Sequence, residues 1–352
     1  MKVLHVLNSR VYSGAEKVAS QIIKEFEEEM EIAYCSPESE MVAEMLAEQQ
    51  IRHIPVPSML PRNLIKVIRE EKPDLIHAHD MRATLVAALC CGKIPLISHI
   101  HNNAFDARGL TLKSIGYLFG GYKAKHILWV SRSAYEGYFF HKLFAKKSSV
   151  LINIIDLKQV WNKRDQDENQ YEYDMIFIGR LTYPKHPQRL MRMCALARER
   201  KPDIRLAVVG NGELDQETRA LCAELGLENN VDFLGFQSNP MKMLYNSKCM
   251  ILTSRWEGTP MCALEAMALG VPVVSTPTDG LLDLIDEGEN GYLSGDDAVL
   301  AERIVQIAND PALRQKLSRN AAEKAIRIND TETYKKAVAA LYARCIGAKK
   351  VE

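Results

Sequence analysis

The 352-residue sequence has no excess of charge of either sign: 45 Lys and Arg stand against 45 Asp and Glu. A dedicated nucleic-acid-binding protein draws affinity from a basic surplus that displaces counterions from phosphate, so that class is disfavoured and no nucleic-acid partner is expected. A Cys-x-x-Cys pair is lacking too. The eight cysteines (Cys35, Cys90, Cys91, Cys194, Cys222, Cys249, Cys262 and Cys345) are scattered, which excludes a zinc ribbon or dithiol redox motif; they read as reduced, mostly buried small hydrophobes. A long apolar opening is missing as well. The start MKVLHVLNSR has too short an apolar run for a signal peptide or a bilayer span, so a cytoplasmic chain is expected. At 47% hydrophobic and 26% charged residues the composition is globular, and the length suits two domains of similar size.

What is present is an alternation of short Val, Ile and Leu-rich runs with amphipathic stretches, the pattern of buried parallel strands joined by crossover helices. In the first half strands are expected at 2–7, 31–35, 52–54, 74–77, 95–99, 126–130 and 149–152, with helices such as 15–28 and 81–91. Residues 156–174 are polar and nearly free of aliphatic periodicity, and read as a linker. The alternation then restarts, with strands at 175–178, 206–209, 231–234, 250–252 and 271–275 and helices at 187–199, 214–225 and 261–269. From 297 to 345 the tail is helical, with stops at Asn309-Asp310-Pro311 and Asn329-Asp330. The fold class is therefore α/β: a Rossmann-like domain at 1–155, the linker, a second Rossmann-like domain at 175–330, and a helix at 331–352 that packs back on the first.

A dinucleotide fingerprint is also missing. Gly-x-Gly-x-x-Gly would have to follow the first strand of a domain for a pyrophosphate to approach the backbone. The loop after the first strand reads NSRVYSGAEK, with Gly14 alone just before a helix; Gly210-Asn211-Gly212 lacks its third glycine. Each taken alone reads as a plain turn. A stronger signal is EGTPMCALEAMALGVPVVST, in which Glu257 and Glu265 stand eight apart and Gly258, Thr259 and Pro260 lead into a helix opening near Met261. Such a helix start offers free amides and the positive end of a dipole, a seat for a phosphate or sugar hydroxyls.

This stretch closely resembles the signature of retaining glycosyltransferase family four, nucleotide-sugar enzymes of the GT-B fold in which two Rossmann-like domains face each other across a cleft. Further segments are similar to family landmarks: IFIGRLTYPKHP, LAVVGNGEL, VDFLGF, DLIHAHD, SGAEK and VLINIID. The resemblance implies that Arg180 and Lys185 grip the donor diphosphate, a bidentate fork and a point charge. It implies that Glu265 takes the ribose hydroxyls and that Glu257 with the amides of Thr259 to Met261 holds the sugar. Gly14, Gly210 and Phe236 complete the donor-binding set. Two departures stand out: Ser13 replaces the first glycine of Gly-Gly-Ala-Glu, and Ile154 replaces glycine in Asn-Gly-Ile-Asp, leaving Asn153 and Asp156 as structure.

In LISHIHNNAF the alternate residues His99 and His101 share one face of an extended strand, so zinc ligation is a reading to weigh. No third ligand of suitable spacing accompanies them, and the family resembled needs no metal; no metal and no cofactor are expected. By resemblance His101, with His99 as runner-up, lines the donor-sugar side. No covalent nucleophile stands out, and the resemblance implies a front-face route in which the leaving phosphate takes the acceptor proton.

Residues 101–155 carry eight Lys or Arg against Asp106 and Glu136, and ten of the 25 aromatics, among them Tyr117, Phe119, Tyr122, Trp129 and Tyr138-Phe139-Phe140. Such a segment suits an anionic membrane surface, with core aromatics and a solvated basic face as the alternative. The expected activity is transfer of a hexose or N-acetylhexosamine from a nucleotide diphosphate sugar, UDP-sugar favoured, to a glycan or lipid-linked hydroxyl. An epimerase or hydrolase of the same architecture and a non-catalytic sugar-nucleotide binder are the alternatives.

Overall fold

The Val, Ile and Leu runs form parallel strands because side chains of that kind fit a sheet covered on both faces. The computed structural model describes residues 1–101 and 105–347, in two units: Met1–Ile154 together with the chain from Asp330 onward, and Ile155–Asn329. Three residues of the basic, aromatic segment (102–104) and the last five of the C-terminal helix expectation (348–352) lie outside the described residues.

The first unit holds β1 (Lys2–Val6), β2 (Glu31–Pro37), β3 (His53–Val56), β4 (Leu75–His79), β5 (Leu96–Ile100), β6 (His126–Trp129) and β7 (Ser148–Val150). They make one parallel sheet in the order β3-β2-β1-β4-β5-β6-β7. The second unit holds β8 (Tyr173–Ile178), β9 (Leu206–Val209), β10 (Val231–Gly235), β11 (Ser247–Leu252), β12 (Val273–Ser275) and β13 (Gly291–Leu293), ordered β10-β9-β8-β11-β12-β13. Both sheets have the Rossmann sequence, in which the direction of strand addition reverses beside the first strand: between β1 and β4, and between β8 and β11. Ligands in such sheets bind outside the carboxyl ends of the strands at that reversal. β4 and β5 are buried along their whole length, as crossover helices on both faces require.

Two stretches depart from expectation. The polar segment 156–174 is no simple linker: it contains the helix Leu157–Asp165, capped by Asp156, whose side chain accepts from the Gln159 N–H at 2.9 Å. One thin face anchors that helix, with Val160 buried and Trp161 Nε1 donating to the Ala268 carbonyl at 3.1 Å, so its composition stays polar. β13 was not foreseen at all. The tail forms the helices Asp297–Asn309, Pro311–Ile328 and Thr331–Ile346, broken at both expected stops. The last of these belongs to the first unit, where Tyr342 is fully buried, Lys335 pairs with Glu29 at 2.7 Å and Arg344 meets His126 at 3.0 Å. Among the described residues no helix is long and apolar enough to cross a membrane.

Candidate functional site

In the second unit Lys185 and Glu257, two of the residues singled out in the sequence, meet at the reversal point. β11 runs out into Thr253 and Ser254, both buried. Thr253 Oγ1 donates to the Lys185 carbonyl at 3.1 Å, the Arg255 N–H donates to the Pro184 carbonyl at 2.8 Å, and Thr276 Oγ1 donates to the Ser254 carbonyl at 2.7 Å. These bonds stitch the loop after β8 to the loop after β11. Their consequence is that Lys185 Nζ lies 2.5 Å from Glu257 Oε1, which also accepts from Ser254 Oγ at 2.5 Å. Side-chain exposure is 18% for Lys185 and 10% for Glu257. Burial opposes the Lys185 charge, but the Glu257 carboxylate outweighs it and holds the ammonium above its ordinary pKa; the nearby Arg180 guanidinium pulls the other way.

Gly280 is there for contact. A Cβ on Gly280 would stand 1.2 Å from the Gly258 carbonyl oxygen, so the short helix Asp279–Leu282 supports the Gly258 loop backbone to backbone. That loop carries buried Thr259 to Pro260, the N-cap of the helix Met261–Ala268, and no side chain caps the first turn. Met261 begins the helix, and Glu265 lies in its second turn, buried. The positive end of the helix therefore opens beside the Lys185–Glu257 pair's loop.

Gly210 has a different part from that of an amide donor. Its φ is +126°, its N–H already donates to the Gly235 carbonyl at 2.7 Å, and a Cβ would fall 2.0 Å from the Gly179 oxygen. The Leu181 N–H donates to the Asn211 carbonyl at 3.0 Å. The Gly210-Asn211-Gly212 turn thus fixes the backbone on either side of exposed Arg180. Phe236 follows this turn's partner strand and is 40% exposed.

The first unit brings together other groups. Gly14 opens the helix Gly14–Glu25, where Glu16 Oε2 accepts from the Ser13 N–H at 3.0 Å and from its hydroxyl at 2.8 Å. Ser13, the departure from a glycine pair, is a capping residue. At the carboxyl ends of β1 and β4 lies a pocket of about 190 Å³ lined by Leu7, Asn8, Ser9, Glu16, His79 and Asp80 among others.

Beside it stand five imidazoles, three of which the sequence reading missed as neighbours. Strand register sets His5 opposite His77 and His79 opposite His99, and His101 follows just past β5. A chain of contacts runs from His101 Nε2 to His79 Nδ1 (2.7 Å), His79 Nε2 to His5 Nδ1 (2.9 Å), His5 Nε2 to Tyr342 Oη (3.1 Å) and Tyr342 Oη to His77 Nδ1 (2.8 Å). Burial pushes His5 and His99 down to about 3 and drives His77, His79 and His101 well below the usual histidine range, so all five rings are neutral at pH 7. The expectation that His99 and His101 lack a third partner is corrected by His79. Spacing along one strand could not show it, although the alternate pairs His77/His79 and His99/His101 carried the signal.

The aromatics of 101–155 divide. Tyr117, Trp129, Tyr138 and Phe144 are core, whereas Phe119, Tyr122 and Phe139 are exposed.

Two Rossmann-type sheets, each reversing beside its first strand, are the architecture of the GT-B fold. The comparisons carry this further. The family description Glycosyl transferases group 1 fits residues 160–324, and Glycosyltransferase Family 4 fits residues 12–159. An uncharacterized glycosyltransferase of Methanocaldococcus jannaschii is 33% identical over 60% of this chain, and the match spans 58% of that relative's length. The UDP-Gal:alpha-D-GlcNAc-diphosphoundecaprenol alpha-1,3-galactosyltransferase of Escherichia coli is 24% identical, covering 93% of this chain and 92% of its own. Anabaena HepE, solved with UDP-glucose, superposes with a TM-score of 0.84 at 22% identity, over 98% of this chain and 100% of its own. Residues 160–324 thus carry a group 1 glycosyl transferase domain and residues 12–159 a glycosyltransferase family 4 domain.

Proposed function

We propose that the protein moves a hexose or N-acetylhexosamine from a nucleotide diphosphate sugar, UDP-sugar favoured, to a hydroxyl of a glycan or lipid-linked acceptor, with retained configuration and without a metal. The observation that carries this reading is the Lys185–Glu257 pair beside the uncapped helix at the reversal point of the second sheet. The uridine donor and lipid-linked acceptor in the E. coli relative's name support it.

Arg180 and Lys185 bind the diphosphate, and Lys185 is held in position for it by Glu257 and the Thr253 bond to its carbonyl. Glu265 accepts from the ribose hydroxyls. Glu257 and the amides of Gly258, Thr259 and Met261 bind the sugar. The glycosidic C1–O bond to phosphate breaks as the acceptor oxygen bonds C1, and the acceptor proton passes to the departing phosphate oxygen. Fixed charges that meet the leaving diphosphate supply the catalysis.

A thermal-shift screen with UDP- and GDP-sugars, followed by transfer assays on lipid-linked acceptors, tests the reading. A ligand stabilises the fold in proportion to the logarithm of its concentration over Kd, so UDP-sugars should raise the melting temperature and GDP-sugars should not. No shift with any nucleotide sugar overturns the donor assignment, and free sugar released without acceptor dependence favours the epimerase or hydrolase reading.

The acceptor side rests on the helix Leu112–Lys123. Leu112, Ile115, Phe119 and Tyr122, three or four residues apart, are exposed to 92%, 48%, 43% and 65%, with Lys113 and Lys123 alongside. An apolar stripe flanked by lysine suits peripheral contact with an anionic bilayer, at the inner face of the cell membrane. Flotation with anionic vesicles checks it: salt-sensitive binding is expected, and no binding means a soluble acceptor.

A further inference from the structure

The transfer as proposed leaves most of the histidine group at the ends of β1, β4 and β5 unused. Four of its rings and one hydroxyl stand in file: His101 Nε2 to His79 Nδ1 (2.7 Å), His79 Nε2 to His5 Nδ1 (2.9 Å), His5 Nε2 to Tyr342 Oη (3.1 Å) and Tyr342 Oη to His77 Nδ1 (2.8 Å). A neutral imidazole has one N–H and one lone pair, and a hydroxyl has one hydrogen. Burial keeps the rings neutral, so none escapes the count by carrying two hydrogens. Five groups therefore bring five hydrogens to four contacts, and each contact takes one. One hydrogen is left over.

Its place is decided by burial. It can stay on His77 Nε2, on the Tyr342 hydroxyl or on His101 Nδ1. His77 and Tyr342 are fully buried, and His77 Nε2 has no partner among the described residues, so a hydrogen left at either would be a donor that nothing meets. His101 Nδ1 has no partner among the described residues either, but its residue is only half-buried at the end of β5, and only there can an oxygen arriving from outside accept the hydrogen. The file then has one direction. His77 Nδ1–H donates to Tyr342 Oη, the Tyr342 hydroxyl to His5 Nε2, His5 Nδ1–H to His79 Nε2 and His79 Nδ1–H to His101 Nε2. What stays unmet is a lone pair on His77 Nε2, which proteins tolerate better than an unmet N–H.

We propose, on the basis of the transfer reading, that His79 is a positioning residue: with His5 and Tyr342 behind it, it fixes His101 in the Nδ1–H form, so that His101 donates to a hydroxyl or phosphate oxygen of a substrate. His79 does this by giving its Nδ1 hydrogen to His101 Nε2, which leaves Nδ1 as the place for the hydrogen of His101. The ring plane is held too: His79 and His101 stack with centroids 4.9 Å apart and 14° between planes, and His99 packs against His101 at 4.1 Å. The backbone N–H of His101 donates to Asp80 Oδ1 at 3.3 Å, which fixes the chain beneath the ring. Tyr342 lies on the helix Thr331–Ile346, so the last helix of the described chain reaches the tautomer of a residue at the end of β5.

Nitrogen NMR of the whole protein with isotope-labelled histidine, without substrate, reads the tautomer. The expected pattern is His101 protonated at Nδ1 and bare at Nε2, assigned by loss of its signals in His101→Asn; a hydrogen on Nε2 overturns the proposal even if the transfer reading stands. Kinetics test the consequence. His79→Leu has no hydrogen to give and should lower kcat/KM by about 10-fold, the worth of one hydrogen bond, and a raised KM for the nucleotide sugar or for the acceptor tells which of them carries the oxygen. His79→Asn puts an amide N–H where Nδ1–H stood and should restore most of that loss, which a merely structural role would not do. Equal rates in the two variants, both near wild type or both impaired, overturn the proposal. Melting temperatures confirm that the variants are folded; should His79→Leu not fold, the NMR pattern decides. Absence of transfer by the unaltered protein fails the transfer reading and leaves the tautomer to the same NMR pattern.

Discussion

The two units share one strand order and one reversal point, yet they fill that point with opposite chemistry. The first presents neutral imidazoles, four of them (His5, His77, His79 and His99) at zero or near-zero exposure and His101 half-buried; the second presents a Lys185–Glu257 ion pair that keeps 18% and 10% of its side-chain exposure and an open helix end. Physics sets the difference. Neutral rings can be packed out of water, provided their nitrogens find partners, whereas a charge pair deep in a low-dielectric interior costs more than its attraction returns. The sheet supplies positions at the carboxyl ends of its strands, and the residues just past those ends decide whether a unit handles protons and lone pairs or anionic phosphate.

The largest expected effect lies on the charged side. Lys185→Ala should lower transfer by at least about 10²–10³-fold, the usual loss when a donor to a developing negative charge is removed. Glu257→Gln should do the same while retaining the Ser254 contact. Initial rates with a labelled nucleotide sugar measure both, and near-normal transfer by folded Lys185→Ala protein would sink the assignment and leave the second unit without its distinguishing chemistry.

Acid should separate the units next. His5 and His99 titrate near 3 in the folded chain against about 6.5 unfolded, and His77, His79 and His101 are shifted the same way. Below pH 6.5 the unfolded first unit binds protons that the folded one refuses, so stability rises with pH and is lost on acidification. Each ring contributes up to about 1.4 kcal/mol per pH unit, until the folded pKa is reached. In the second unit His186 is the histidine with a lowered value, near 4. Trp129 lies in the first unit, Trp161 and Trp256 in the second, so fluorescence of a Trp161→Phe/Trp256→Phe protein follows the first unit alone. Its urea midpoint should fall more steeply between pH 7 and pH 4 than that of Trp129→Phe; parallel curves would break the contrast.

A single methyl group probes the loop that makes the second site. Gly280→Ala places Cβ against the Gly258 carbonyl, and backbone must move to admit it. A cost of about 1–3 kcal/mol follows from overpacking, with a weaker thermal shift from nucleotide sugar because the Gly258 to Met261 loop is displaced. An unchanged melting temperature and donor shift would show that the loop tolerates displacement.

Much of this was legible in the sequence, for reasons that differ by element. Strands such as β1, β8, β9 and β12 are legible because each carries a short aliphatic run, and the tail helices because Pro311 and the Asp310 and Asp330 caps announce their starts. β13 was hidden: it is three residues long and opens at Gly291, where a Cβ would meet the Val273 carbonyl at 2.2 Å, so tertiary contact rather than propensity makes it a strand. Arg180, Lys185, Glu257 and Glu265 were identified by likeness to a family, while the hydrogen bonds that bring Lys185 to Glu257 join loops about seventy residues apart and carry no local pattern. The histidine group was missed because register, not spacing, joins β1, β4 and β5.

The smallest effect concerns the ends of the second unit. Asn329, its last residue, accepts from the Ile155 N–H at 2.7 Å and donates to the Ile155 carbonyl at 2.8 Å, so one side chain closes the unit on its first residue. Asn329→Ala removes both bonds and should cost about 1–2 kcal/mol, or a few degrees of melting temperature. Asn329→Asp keeps the acceptor but turns a carboxylate oxygen toward the Ile155 carbonyl, so it should be no better than alanine. Urea unfolding followed through Trp161 in a Trp129→Phe background should register the loss, and the Trp129 signal should shift less. Equal shifts at both probes would mean that the two units unfold as one, and the contrast between them would then be one of chemistry alone.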